Sequence, residues 1–115
     1  MTRTTQRSED VAVASKLLRG FGDPTRLGII VELSRGEQRV SDLIDVVGGS
    51  QGNVSGHLKC LKECGLVVDR PVGREVFYSI AHAEVIDVVR SVEALLEVTG
   101  QSIELCPRYS EKAAR

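Results

Sequence analysis

Two adjacent glycines and a serine, Gly48-Gly49-Ser50, divide two short apolar stretches in the middle of the chain. No other feature restricts the fold as much. Upstream, Ser41 is placed to cap a short helix carrying Leu43, Val46 and Val47. Downstream, Ser50 is placed to cap a second one, since a serine oxygen accepts a hydrogen bond from an orphan N–H of the first helical turn. Val54, Leu58 and Leu61 follow at i, i+4 and i+7, the spacing of a buried helical stripe. Gly65 supplies a left-handed stop. The stretch predicts a helix of about fourteen residues, an ordinary length for a globular protein. Helix, tight glycine turn, helix is the pattern of a helix-turn-helix unit, whose second helix can enter the major groove of DNA.

The other faces of this second helix carry two kinds of chemistry. At about 100° per residue, Gln51, Gly52, Ser55, Gly56 and Lys59 gather on one flank of the apolar stripe. Each interior glycine costs a helix about 1 kcal/mol, so a pair of them points to close approach of another surface. Asn53, His57, Cys60 and Cys64 lie on the other flank. Residues at i and i+4 are stacked one turn apart, so the two thiols can reach the same small object.

The rest of the chain completes an architecture around this unit. Residues 1–8 are polar and threonine-rich and read as a flexible arm ahead of a domain over residues 9–99. Val11, Ala14, Leu17, Leu18 and Phe21 give a first helix, stopped by Gly22. Asp23-Pro24 restarts the chain as an N-cap followed by proline at the first helical position, and Leu27, Ile30 and Val31 give the second helix its buried face. After Gly65 the period changes. Residues 66–70 and 75–80 are rich in β-branched and aromatic side chains around a Pro71-Val72-Gly73-Arg74 turn, which predicts a β-hairpin with a basic tip. The last helix runs from His82 to about Thr99, with Val85, Val88, Val89, Val92, Leu95 and Leu96 along one stripe. The fold class is mainly α with a β-hairpin wing, a winged helix-turn-helix. So small a domain has little interior for the apolar faces of both the first and last helices. A second copy of the chain is expected to cover them, with Val85, Val88, Val92 and Leu95 facing it.

Composition narrows the function. With 115 residues, 42% hydrophobic and 27% charged, the chain suits one soluble domain. It contains no apolar run of about 18 residues that would span a membrane and no secretion-signal pattern, so a cytoplasmic location is expected. Three cysteines, an odd number, argue against a disulfide framework. A net charge of −1 means that any nucleic-acid surface is a local patch. The candidates for it are Ser50, Gln51, Asn53, Ser55, Gly56, His57 and Lys59 on the helix, with Arg70 and Arg74 at the wing. Lys59, Lys62, Arg70 and Arg74 can also be read as ordinary surface charges, and His57 as a structural residue.

The order of elements, Asp23-Pro24-Thr25-Arg26 at the second helix, Asn53-Val54-Ser55-Gly56-His57-Leu58, and Cys64-Gly65-Leu66-Val67 together resemble the ArsR/SmtB family of metal-responsive winged-helix repressors. The resemblance covers roughly residues 12–96. It implies a homodimer that holds an operator, an imperfect inverted repeat in double-stranded DNA, and that releases it on binding metal. Two sites common in that family have no counterpart here. The stretch Arg39-Val40-Ser41-Asp42-Leu43 has no thiol, and no histidine follows Val85. Cys60, Cys64 and Cys106 remain, which looks most like the cadmium- and lead-sensing branch, with residues 100–115 as a tail contributing a ligand.

Thiolates select soft or borderline ions. Three of them suit Pb(II), and Cd(II) with one further donor, as inducer; As(III) is also compatible, and Cu(I) less so. Cys60 and Cys64 have a plainer reading as small core residues, and Cys106 as incidental. A thiol redox-sensing repressor is the competing function, although a helix resists the Cβ geometry of a disulfide between residues one turn apart. A cysteine enzyme would need a base held by a third group. With two histidines and no matching motif, no enzymatic activity is expected.

Overall fold

Local capping chemistry fixes most of the helix starts. The computed structural model describes residues 3–101 and 103–105. Its elements run α1 (Arg3–Phe21), α2 (Pro24–Leu33), β1 (Gln38–Arg39), α3 (Val40–Val47), α4 (Gln51–Glu63), β2 (Val67–Val72), β3 (Glu75–Ile80) and α5 (Ala83–Val98). Asp23 caps α2, its carboxylate accepting from the Arg26 N–H at 3.0 Å. Ser50 caps α4 in the same way, accepting from the Asn53 N–H at 3.1 Å. Between α3 and α4 the chain reverses through Gly48 and Gly49, both at positive φ (81° and 90°). Side-chain-bearing residues rarely adopt that region, which is why two glycines stand there.

Several expectations need correction. The flexible arm expected over residues 1–8 is helical from Arg3 onward, with Gln6 donating to Asp10 at 3.0 Å one turn along. Polar composition alone did not exclude a solvated helix. The cap of α3 is Arg39 rather than Ser41: the Asp42 carboxylate accepts from the Arg39 N–H at 3.2 Å, which starts the helix one residue before Ser41. The wing strands extend into the expected four-residue turn, which tightens to Gly73-Arg74. Pro71 is tolerated in β2 because β2 is an edge strand.

The sheet has the order β1-β3-β2, all antiparallel, with Arg39 opposite Phe77 and Pro71 opposite Val76. One apolar core lies beneath it, built from Ile29, Ile30 and Leu33 of α2, Leu43 of α3, Val54, Leu58 and Leu61 of α4, Leu66, Val67, and Val85 and Val89 of α5. Val85 therefore belongs to the protomer's own core, at 4% exposure, and not to a face turned toward a partner. The apolar stripe of α5 is wide enough to serve two surfaces, and Val85 falls on the inner one.

α1 contributes only Gly20 and Phe21 to the buried set. Its Val11, Val13, Leu17 and Leu18 stay exposed, as do Val92, Leu95 and Val98 of α5. The molecule is correspondingly extended. Its radius of gyration is 16.1 Å, against about 13 Å for a compact domain of about 100 residues.

Candidate functional site

α4 meets a different environment on each side. Its stripe of Val54, Leu58 and Leu61 is fully buried. On one flank Gln51 and Ser55 face the wing and line a groove of about 350 Å³ together with Arg39, Ser41, Arg74 and Tyr78. The outward surface is bare: a Cβ added at Gly52 or Gly56 would meet nothing within 4 Å. Lys59 is exposed on the same side. Asn53 leans back over the turn, where a Cβ at Gly49 would lie 3.2 Å from its Oδ1.

The expected basic contacts are not equivalent. Arg74, in the wing turn, has no ion pair among the described residues and lines the groove. Arg70 is engaged: it donates to the Glu37 carboxylate at 2.6 and 3.0 Å, and its guanidinium sits 5.6 Å from the centre of the Phe77 ring. That bond holds the Glu37 carboxyl below its ordinary range. Lys62 is likewise paired, to Asp69 at 2.9 Å.

His57 is turned to the base of α2. Its Nε2 lies 3.9 Å from Asp23 Oδ2, and its Nδ1 lies 3.5 Å from an Arg26 guanidinium nitrogen. These contacts give the ring a structural anchor at α2. The partners that hold it come from a distant part of the chain, so helical spacing gave no sign of them.

Cys60 and Cys64 lie on the remaining flank as free, half-buried thiols. They open on a cavity of about 430 Å³ whose other wall is Val13, Lys16 and Leu17 of α1, with Glu63 at its edge. Burial pushes the Cys64 thiol above its ordinary value, and the Cys60 thiol beside it adds to that; the Lys16 and Arg26 charges pull the other way. Neither cysteine belongs to the apolar core, although Cys64 packs against it. Among the described residues, no group of three His, Cys, Asp or Glu side chains converges as a metal cage. Cys106, the expected third thiol, lies outside the described residues. Sequence reasoning missed Lys16 and Arg39, whose roles depend on which elements pack beside them.

Comparison with known proteins agrees with this arrangement. Residues 23–68 match the arsR family of bacterial regulatory proteins. The chain is 33% identical over 94 residues to a "Probable mercury resistance operon repressor" of Streptomyces lividans, covering 82% of this chain and 75% of that protein. It is 36% identical over 100 residues to the HTH-type transcriptional regulator CmtR of Mycobacterium tuberculosis, covering 87% and 82%. Among solved structures, NolR from Sinorhizobium fredii superposes with a TM-score of 0.74 at 28% identity, covering 89% of this chain and 97% of that one.

A helix pair joined by a glycine turn and flanked by a β-hairpin wing defines a winged helix-turn-helix DNA-binding protein, a transcriptional regulator and not an enzyme. The chain belongs to the arsR family of bacterial regulatory proteins, the ArsR/SmtB class of metal-responsive repressors that its sequence resembles.

Proposed function

We propose that this protein is a cytoplasmic metal-sensing repressor whose metal-free homodimer binds operator DNA and lets go when Cd(II) or Pb(II) is taken up by cysteine thiolates. The observation that carries this reading is the placement of Cys60 on α4 and of Cys64 at its C-cap, on the flank away from the wing groove. Cys60 is nine residues after Gln51, about 180° around the helix at 100° per residue. A ligand on the thiols leaves Gln51 and Ser55 uncovered yet acts on the same helix.

The donor set fits a soft ion. Two thiols share one cavity wall, and the lining adds a single carboxylate, Glu63, and no imidazole, so the set favours a soft ion over a hard one. Two sulfurs alone leave Cd(II) or Pb(II) short of donors, and Cys106 in the 100–115 tail supplies the third in this reading, reaching from the partner protomer. The Streptomyces lividans relative is named for mercury resistance, and mercury is likewise a soft metal. A bound ion would act as a crosslink between sulfurs. The chain's own contribution is to hold two thiols one helical turn apart and half shielded from water.

At the DNA, Gln51, Asn53, Ser55, Gly56 and Lys59 lie nearest the bases and backbone of an imperfect inverted repeat, and Arg74 serves a phosphate. A two-fold operator requires both copies of α4 to be spaced together, so a small change in their relative pose loses affinity. The coupling is reciprocal and of the order of 1–3 kcal/mol. The exposed apolar stripes of α1 and α5 are the dimer surface in this reading.

The test is a titration of the operator-bound protein with Cd(II), Pb(II), As(III) and, separately, peroxide, following sulfur-to-metal absorption and DNA release together. Release by Cd(II) or Pb(II) with thiolate absorption is expected. Release by peroxide alone would replace metal sensing with thiol oxidation.

A further inference from the structure

The wing is fastened to the body by two arginines, one for each of its strands. Arg70 of β2 reaches Glu37, just ahead of β1. Arg39, in β1, reaches Glu75 at the start of β3, 36 residues on, with Nη1 donating to both carboxylate oxygens at 3.1 and 3.2 Å. The rest of the Arg39 fork is also engaged. Nε and Nη2 donate to the two oxygens of Asp42, in the first turn of α3, at 3.2 and 3.1 Å. One guanidinium thus joins the helix-turn-helix to the residue that follows Gly73-Arg74. It does so from the wall of the groove that also holds Gln51, Ser55 and Arg74. Its backbone adds to the join, since Arg39 pairs with Phe77 in the sheet.

We propose that Arg39 is a positioning residue for the wing: by bridging Asp42 and Glu75 it makes the wing turn and α4 approach DNA as one body, and it does not itself contact phosphate. The inference rests on the DNA-binding reading of the groove. The chemistry separates Arg39 from Arg74. All three nitrogens of the Arg39 fork are committed to carboxylates of its own chain, whereas Arg74 has no ion pair among the described residues. A side chain that neutralises a phosphate releases counterions and contributes about one unit of salt slope. A side chain that only holds another in place contributes to affinity and not to slope. An isolated exposed ion pair is weak, but a forked arginine shared by two carboxylates is the geometry in which such pairs count.

The experiment measures operator affinity as a function of salt for the full chain and three variants, together with amide hydrogen exchange across residues 72–76 without DNA. Arg74→Ala is the reference, expected to weaken binding and make the salt slope shallower by about one. Arg39→Ala is expected to weaken binding about three- to tenfold with the slope unchanged, and to speed exchange at the wing turn. Glu75→Gln is the sharper arm. Removing a negative charge beside DNA should tighten binding by simple electrostatics, whereas loss of the bridge should weaken it and speed exchange as Arg39→Ala does. A slope change for Arg39→Ala equal to that of Arg74→Ala, or tighter binding by Glu75→Gln, overturns the proposal. If Arg74→Ala changes neither affinity nor slope, the wing does not serve DNA and the reading beneath the proposal fails with it. Should Arg39→Ala not fold, Glu75→Gln, at an exposed strand end, carries the test alone.

Discussion

Arg26 brings a guanidinium nitrogen within 3.5 Å of His57 Nδ1, 31 residues further along the chain. The same side chain donates to the carbonyl oxygens of Arg19 at 2.8 Å and Gly20 at 3.3 Å. Those carbonyls belong to the end of α1, where helix geometry leaves acceptors without partners and favours a cation. One arginine therefore closes α1 while touching the middle of α4.

Arg26→Ala should cost about 1.5–3 kcal/mol of stability, the range for hydrogen bonds to a charged group, read from the urea midpoint. His57→Gln should bind operator within about twofold of the parent, since mutations at a site with no ligand contact act mainly through stability. A large loss of operator affinity by His57→Gln at unchanged stability would return that residue to the DNA surface.

For the thiols, Cys60→Ser and Cys64→Ser should each abolish metal-driven release of operator while leaving metal-free DNA binding largely intact. Cys106→Ser should weaken metal binding less, because the two sulfurs that remain are the pair already held one helical turn apart in a single cavity. Anisotropy of a labelled operator during a cadmium or lead titration reads both properties. Continued release by Cys60→Ser would place the metal site elsewhere.

The two halves of the α5 stripe should separate cleanly by mutation. Leu95 is 64% exposed and Val85 only 4%. Leu95→Asp should give a folded monomer in sedimentation at micromolar concentration. Val85→Asp should prevent folding, because an unpartnered carboxylate in a core costs several kcal/mol. A Leu95→Asp variant that stays dimeric would refute the α5 face as the interface.

Acid sensitivity follows from the caps and clips. Asp23, Glu37 and Asp42 are held below their ordinary values of 3.8, 4.5 and 3.8, chiefly by the Arg26 backbone N–H, the Arg70 guanidinium and the Arg39 guanidinium respectively. Groups lowered in the folded state bind fewer protons there than in the unfolded chain, so their contribution is present above the ordinary values and lost as pH falls through the lowered ones. Lys62 is raised from 10.5 by Asp69, and its contribution is lost only at strongly alkaline pH. The urea midpoint should be flat near neutrality and fall below about pH 4. Asp42→Asn should flatten that fall; an unchanged acid limb would show that the Arg39 pairing contributes nothing to it.

What the sequence disclosed was whatever is decided within one turn of chain. Asp23 and Ser50 could be read as caps because a cap bonds three residues ahead, and Val54, Leu58 and Leu61 as a stripe because helical period alone stacks them. β1 was missed because two residues carry no alternation and are a strand only through pairing with Phe77 and Tyr78. The inward turn of Val85, the hold on His57 and the pairing of Arg70 with Glu37 share that cause. Each depends on a partner 31 or more residues away or on which side of a helix the core happens to fill.

The bare outward surface of α4 has a further consequence. Among the described residues nothing requires glycine at 52 or 56, and each lowers helix stability by about 1 kcal/mol relative to alanine. Both fall in the first half of the helix, where Val54 is the core anchor, whereas Leu58 and Leu61 anchor the second half, which carries Cys60 and ends at Cys64. The weakest helix formers of α4 thus sit in the half that would read DNA and are absent from the half that would sense. Under metal sensing, a pull at the thiols would reach DNA through the half of the helix with the lower helix propensity, and would be felt there first as a change of aim.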